Sequence, residues 1–563
     1  MKMNHIIKFT AVLFGSAVLL SGCVEETFPE GGGATGGQIG DSPFATEGVL
    51  TAMPTLLMSN GTTYLEEHIE FGYMGMAAAL DRLAGEVFPV AQNLPGGNQY
   101  YDRWQPWLYT GTGALDASKS PQPFFYNNYY KFIYTTNQAI SIFGQNEAMS
   151  QELGIAKAFR AMLYLDMARL YDPLPAKASG EEGCNAYVIP DKVKGLTVPI
   201  VREGMTTEEL ENNPRVPREE MFEFILGDLN EAQTLVAEYD RPADKMGMPN
   251  LAVVYGLKAR AYLWLGGFTE SYANVPTGEA AYRLAAEFAR KAIDASGCSI
   301  MTEAQYLDPK TGFCKVNSSW MWALCQSTDT VINNLYSWTA HMALEAIWGY
   351  GNGAQPGISI TSYERMDASD FRRKHIVNPD RDYAALAPYT NLTEEEFEGG
   401  EGAMAPLAPY AVCKFHPNGG EKRNYSVGNV TDIPLMRVEE MYLIEAEATA
   451  HYDEGTGRSL LASFMAHRAP NYLAPQTDLV EEIIFQKRIE FWGEGIILFD
   501  LKRLDMSVQN GYEGTNSPSG AQFTTDGRAP WWNYVLPLSA EQQNLALKGF
   551  NNPNTSNTYK SVQ

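Results

Sequence analysis

Four stretches of 3.6-residue apolar periodicity, each longer than an ordinary β-strand and most of them bounded by Pro or Gly, constrain this chain more than anything else in it. In Gly154 to Tyr171 (GIAKAFRAMLYLDMARLY), Phe159, Leu163, Met167 and Leu170 fall at i, i+4, i+8 and i+11, which places them in one apolar stripe. Small residues at 156, 158, 161 and 168 let a neighbouring helix approach, and Pro173 and Pro175 end the run. A second helix is predicted from Pro217 to Val236, with Pro at its entrance and Met221, Ile225, Leu229 and Ala232 on one face. Leu251 to Phe268 and Glu279 to Ser296 form a pair, the first closed by the Gly266-Gly267 turn and the second by Gly297.

Helix pairs of this length, with small residues on their facing sides and aromatics at their ends, resemble tetratricopeptide units. Met436 to Tyr452 and Asp478 to Trp492 repeat the pattern, and such a scaffold needs about three or more stacked units to bury its faces. The expected fold class is therefore mostly α, a tetratricopeptide-like helical-repeat scaffold occupying mainly 41–92, 120–299 and 431–505. Between these lie loop-rich insertions at about 93–119 and 300–430, rich in Gly, Pro, Asn and Tyr. Long irregular segments inside an ordered protein are commonly functional, so the helices read as scaffold and the insertions as the working surface.

A net charge of −25 excludes nucleic acid as a partner, because no Lys/Arg cluster could supply the phosphate contacts. It also excludes a basic surface gripping anionic lipid, and leaves a neutral ligand as the better expectation. Beyond Cys23, the remaining cysteines are Cys184, Cys298, Cys314, Cys325 and Cys413, with no C-x-x-C and no zinc spacing. Either one bridge among Cys298, Cys314 and Cys325 or buried free thiols would fit. His68, His341, His375, His416, His451 and His467 show no metal spacing. Glu394-Glu395-Glu396-Phe397-Glu398 reads as a solvated loop. One acidic run does not establish a calcium site, which needs oxygens converging from several loops, and no cofactor is implied.

The N-terminus carries an export signal. Lys2 and Lys8 give a positive n-region and Phe9 to Leu20 an apolar h-region, too short to span a bilayer. Leu20-Ser21-Gly22-Cys23 looks like a bacterial lipobox, which makes 1–22 a lipoprotein signal peptide and Cys23 the acylated first residue of an exported protein held on a membrane by lipid. Residues 23–40 then form a tether, whose Gly-rich part GGGATGGQIG (31–40) has no preferred backbone state. As a flexible coil it would reach about 25 Å.

Sugars present flat C–H faces and rings of hydroxyls, which aromatic platforms edged by amides and charged groups complement. The best such cluster is Asn98, Gln99, Tyr100, Tyr101, Asp102, Arg103 and Trp104, pushed outwards by the Pro95-Gly96-Gly97 turn, with Trp107 close behind. A second zone holds Trp320, Trp322, Tyr336, Trp338, Trp348 and Tyr350, with Asn333 and Asn334 between. Any one of these aromatics could instead be core. Trp531-Trp532 are expected to pack the C-terminal region.

The segment GIAKAFRAMLYLDMARLYDPLP (154–175) resembles the G-x-A-x-x-x-R-A-x-x-Y-x-x-L-x-x-x-Y-G-x-x-P motif of the SusD/RagB family, with Asp172-Pro173 where the family has its glycine. RVPREEMFEFILGDLNEA (215–232), DIPLMRVEEMYLIEAEATA (432–450) and EEIIFQKRIEFWGEGIILFDLKRL (481–504) follow in the family's order, and VLPLSAEQQNLALKGFNNP (535–553) echoes its ending. Ile496-Ile497-Leu498 replaces the usual His-Arg-aromatic, a change that touches packing.

The resemblance implies a non-enzymatic binding lipoprotein at the cell surface. Such a protein sits as a hinged lid on a SusC-like TonB-dependent β-barrel and captures an oligosaccharide, or in some members a peptide. It also implies ligand residues in the two aromatic zones and structural ion pairs for Arg437, Glu439, Glu445, Arg488, Glu490, Asp500 and Arg503. The competing readings are peptide capture in the same architecture and a surface glycoside hydrolase, which would need two carboxylates flanking a cleft.

Overall fold

The computed structural model describes residues 42–59, 70–91, 121–329 and 334–560. Cys23, the signal segment 1–22 and the tether 23–40 lie outside these residues. The N-terminal part supplies α1 (Pro43–Leu57), α2 (Tyr73–Leu83) and the two-residue strand β1 (Phe88–Pro89). Then come α3 (Pro121–Phe143), packed on α1, and α4 (Ser150–Tyr171), α5 (Arg218–Leu235), α6 (Leu251–Gly266) and α7 (Gly278–Ser296), these four each packed on its predecessor.

The loop-rich stretch carries β2 (Trp320–Cys325), α8 (Trp338–Met342), α9 (Tyr350–Ala354) and β3 (Pro356–Gly357). The chain returns to the scaffold through β4 (Asp432–Arg437), α10 (Val438–Ala450), α11 (Glu454–Met465), α12 (Leu479–Glu490) and α13 (Ile497–Arg503), with α14 (Leu538–Gln543) near the end. Helix α10 packs directly on α7, so the helical stack continues across the whole insertion. The mostly α fold expected from the periodicity is the one observed.

Helix α4 is more buried than its single stripe suggests. Every residue from Gly154 to Tyr171 is buried, because α3, α5 and α6 surround it. Two of its charged residues share one carboxylate of α5: Arg160 Nε donates to Asp228 at 2.7 Å and Lys157 Nζ to the same carboxylate at 3.1 Å. The helix ends where Asp172 turns extended (ψ 112°) ahead of Pro173, as a residue preceding proline must.

At the α6–α7 turn Gly267 is the C-cap of α6, as expected, and caps it with right-handed backbone at φ −73°. What requires glycine there is close approach, since a Cβ on Gly266 would lie 2.5 Å from the Tyr282 ring and one on Gly267 2.5 Å from Arg503. Gly297 does adopt the left-handed conformation, with φ +64°, and ends α7.

Among the described residues the strands form two antiparallel pairs, β1 with β3 and β2 with β4. The first joins the N-terminal part to the insertion. Residues Phe88, Val90, Leu344, Val377, Leu386, Leu392, Phe397, Leu407, Ala411 and Cys413 form a second, smaller apolar core there, separate from the main one. Cys184, Cys298, Cys314, Cys325 and Cys413 are all free thiols.

A buried ionic lattice ties the insertion to the scaffold. Glu490 of α12 accepts from Arg468 (2.9 and 3.0 Å), Arg437 (3.1 Å) and Arg372 (3.1 Å), all wholly inside the protein. Burial alone would raise the Glu490 carboxyl, but the three guanidiniums hold it well below the usual carboxylate range. Lys414 of the insertion reaches the same region, donating to the Glu490 and Trp492 carbonyls and to Glu494. The remaining family-type charges also pair, Glu439 with Arg437, Glu445 with Arg290, Arg488 with Glu86, and Arg503 with Asp500.

The acidic run at 394–398 departs from the solvated loop expected of it. Glu394–Phe397 is a short helix capped by Thr393, and Glu396 is fully buried between Lys422 and Arg423. Among the described residues no cluster of His, Cys, Asp and Glu is placed to hold a metal ion, and no helix is long and apolar enough to cross a membrane.

Candidate functional site

Phe71, Val90 and Leu335 come together at one face of the insertion. Phe71, at the entrance to α2, lies 4.9 Å from His341 of α8, ring to ring. His341 Nε2 is 3.1 Å from the Leu335 carbonyl, and its ring is 5.2 Å from Tyr350 at the start of α9. The Val90 amide, just before the N-terminal loop zone, donates to the Gln355 carbonyl at 3.1 Å, and the Gln355 amide donates back into α9 at Gly351. The segments 334–336, α8 and 348–354 therefore make a floor beside which the chain entering that zone is anchored through Val90.

Three aromatic side chains on this floor, Tyr336, Trp348 and Tyr350, are half-buried. Trp348 is fixed at its edge: its indole Nε1 donates to Asn429 Oδ1 at 3.3 Å. That oxygen also accepts from Ser337 at 2.8 Å, and Asn429 Nδ2 donates to the Asn334 carbonyl at 3.4 Å. Gly428 lies directly against the indole, so a Cβ there would come within 2.2 Å of the ring. Beyond it Tyr425 and Val427 are 40% and 44% exposed. A held indole beside partly open tyrosines can stack on an apolar face of a ligand.

Glu345, a buried carboxylate between α8 and α9, is fully occupied by protein donors. It accepts from Thr390 Oγ1 (2.6 Å), the Asn391 amide (2.8 Å) and Asn391 Nδ2 (2.8 Å), and lies 3.1 Å from His416 Nδ1. Burial pushes its carboxyl up, but His416 and these donors outweigh burial and hold it below the usual range.

Of the residues singled out from sequence, Asn98, Tyr100, Tyr101, Asp102, Arg103 and Trp104 lie outside the described residues. Trp348 is on the floor. Trp320 and Trp338 are corrections to the expected platform: they are 1% and 3% exposed. Trp320 sits in β2 opposite Arg437, and Trp338 meets Phe415 edge to face at 5.1 Å, with Phe415 stacked on Trp492. Both are core because the insertion needs large side chains to fill its junction with the scaffold. Trp531 and Trp532 are buried too, and both indoles donate to the Leu83 carbonyl, fastening the C-terminal region to α2. Phe71, His341 and Asn429 escaped sequence reading. Asn429 stands 81 positions from the tryptophan it holds, and no local pattern signals such a pairing.

No curated protein sequence matches the chain. The sequence model of the SusD family (SusD_RagB) matches residues 389–548, which take in the segments 432–450 and 481–504. Solved structures extend the likeness to the rest of the fold. A SusD-like carbohydrate binding protein from Bacteroides vulgatus ATCC 8482 is 20% identical, with a TM-score of 0.63 over 90% of this chain and 97% of its own. A SusD superfamily protein from Bacteroides thetaiotaomicron VPI-5482 is 16% identical, with a TM-score of 0.64 over 92% and 100%. A third, solved with xylogluco-oligosaccharide, is 17% identical, with a TM-score of 0.60 over 91% and 100%.

Proposed function

We propose that the chain is a member of the SusD family, on the sequence match at 389–548 and the shared fold, and that it captures an oligosaccharide at the cell surface and delivers it to a SusC-like TonB-dependent β-barrel. It acts there as a hinged lid, held to the outer membrane through lipid on Cys23 and free to move on the 23–40 tether. Capture is a binding event without bond cleavage. The observation that carries the carbohydrate reading is the half-open aromatic floor of Tyr336, Trp348 and Tyr350, with Trp348 fixed through Asn429. The chain leads from β1 beside this floor into the segment bearing Asn98, Tyr100, Tyr101, Asp102, Arg103 and Trp104. We assign these residues to the same site, where Trp104 and Trp348 stack on sugar faces and Asn98, Asp102 and Arg103 bond hydroxyls. The neighbour solved with xylogluco-oligosaccharide supports this class of cargo.

Calorimetry against plant, host and microbial oligosaccharides tests the reading. One of them should bind, and Trp348→Ala or Trp104→Ala should weaken it by on the order of tenfold or more. Silence across the panel together with binding of an oligopeptide mixture would turn the cargo to peptide. Release of reducing ends from a polysaccharide would make the protein a hydrolase. A pull-down through this lipoprotein should recover a large β-barrel from solubilised outer membrane, and failure to do so removes the importer partnership.

A further inference from the structure

A groove of about 710 Å³ lies on a different part of the molecule, between α3, the segment 199–213 and α14. It shares no residue with the floor around Trp348, and its size is within the range of ligand pockets, about 300 to 1,000 Å³. Tyr126 and Tyr130 of α3 line it as an aromatic pair, with ring centroids 4.7 Å apart. Around them stand Asn127, Thr207, Ser539 and Gln543, whose side chains bond no other described residue. Lys131 and Glu211, one charge of each sign, complete the rim.

We propose that this groove is a second binding site for a neutral oligosaccharide of a few sugar units. Four uncommitted amide and hydroxyl groups around two tyrosines supply both donors and acceptors at several points of one cleft, which suits polyhydroxyl ligands. The balance of one lysine and one glutamate gives no field for an anion. A peptide adding itself as a strand is disfavoured by the backbone of the wall. Pro199 O accepts from Tyr130, Ile200 O from Asn213, Val201 O from Asn137 and Tyr164, and the Val201 amide donates to Tyr164. Those groups are already paired, and strand addition needs them open.

The inference stands on the groove itself and not on the aromatic floor, and the experiment separates the two. Full-length protein, Asn127→Ala/Gln543→Ala and Trp348→Ala are each titrated calorimetrically with malto-, cello-, xylo- and manno-oligosaccharides. One ligand should give a two-site isotherm, and the double variant should weaken one site by about tenfold while sparing the other. Trp348→Ala should do the reverse. Ser539→Trp, which fills the groove from a half-buried position, should abolish the same site as the double variant, with thermal unfolding unchanged in both. A single site sensitive to Trp348→Ala but not to the groove variants overturns this inference and leaves the proposed function standing. Silence with every oligosaccharide overturns both. Groove-dependent binding of an oligopeptide mixture overturns the carbohydrate assignment.

Discussion

The helical stack and the 334–430 insertion satisfy their backbones in opposite ways. In α4 to α7 each turn bonds to the next, so the backbone there does not depend on individual side chains for its hydrogen bonds. In the insertion, single side chains do this work across long sequence separations. Gln355 donates to the Pro406 carbonyl and accepts from the Ala408 amide. Asn352 donates to the Leu344 carbonyl and accepts from the Met404 amide. Arg373 takes the Tyr363 and Met366 carbonyls, and Arg381 that of Leu407. Shape is therefore distributed in the scaffold and concentrated on a few polar residues in the insertion. The aromatic floor stands on the concentrated kind, which is how one fold can keep its scaffold and vary its surface.

The largest effect should come where the two regions meet. Glu490→Ala leaves Arg372, Arg437 and Arg468 buried around a missing carboxylate, and removing one partner of such a lattice costs about 3–5 kcal/mol. Urea unfolding should show that loss in scaffold and insertion together, and a loss below about 1 kcal/mol would mean that water or other carboxylates relieve the arginines.

Buried carboxylates set an acid limit. Glu490, Glu345 and Glu447, which pairs with Lys487 and Arg503, have folded carboxyls held below the ordinary value of about 4.3. Their stabilisation is complete above that value. It is lost as pH falls below it toward the folded values, because the unfolded chain takes up protons first. Asp81, Glu86 and Asp432 work against this trend, since burial raises their folded carboxyls. The lowered carboxyls, which also include Glu203, Glu396 and Glu421, outnumber them, and the net expectation is a fall in stability below about pH 4, less steep in Glu490→Gln. A flat profile from pH 6 to 3 would contradict it.

Glu345→Ala should cost about 1–3 kcal/mol by stranding Asn391 and Thr390. Its distinctive consequence is local. Proteolytic cleavage should appear within 334–430 while the helical circular dichroism of the scaffold persists. If scaffold and insertion melt together at a lower temperature, the two are one cooperative unit and the contrast between them is weaker than the hydrogen bonds suggest.

This contrast also explains what could be read in the sequence. The four periodic stretches and their order were legible because a helix pays its own backbone within a few residues. Tyr282 on Gly266 and Arg503 on Gly267 were not, since contacts between helices leave no periodic trace. In the insertion, Trp348 could be singled out by type but not told apart from Trp320 and Trp338, which have the same composition around them and are buried. Asn429, Gly428 and His341 give the floor its geometry through contacts remote in sequence. Nothing in their neighbours announced them.

The smallest effect belongs to the scaffold's surface. Arg283 and Glu279 form an i,i+4 pair at 2.7 Å on α7, with side chains 57% and 62% exposed. Solvent and salt screen such a pair, and the helix beneath it is held by Ala281, Ala285 and Ala289 against its neighbours. Glu279→Ala should therefore change stability by no more than about 0.5 kcal/mol. Glu396→Ala is the matched deletion in the insertion, removing a buried carboxylate from Lys422 and Arg423. It should cost several times as much, about 2–3 kcal/mol. Denaturant midpoints of the two variants, measured side by side, test whether individual charges shape one region and merely decorate the other. Equal losses would erase that distinction.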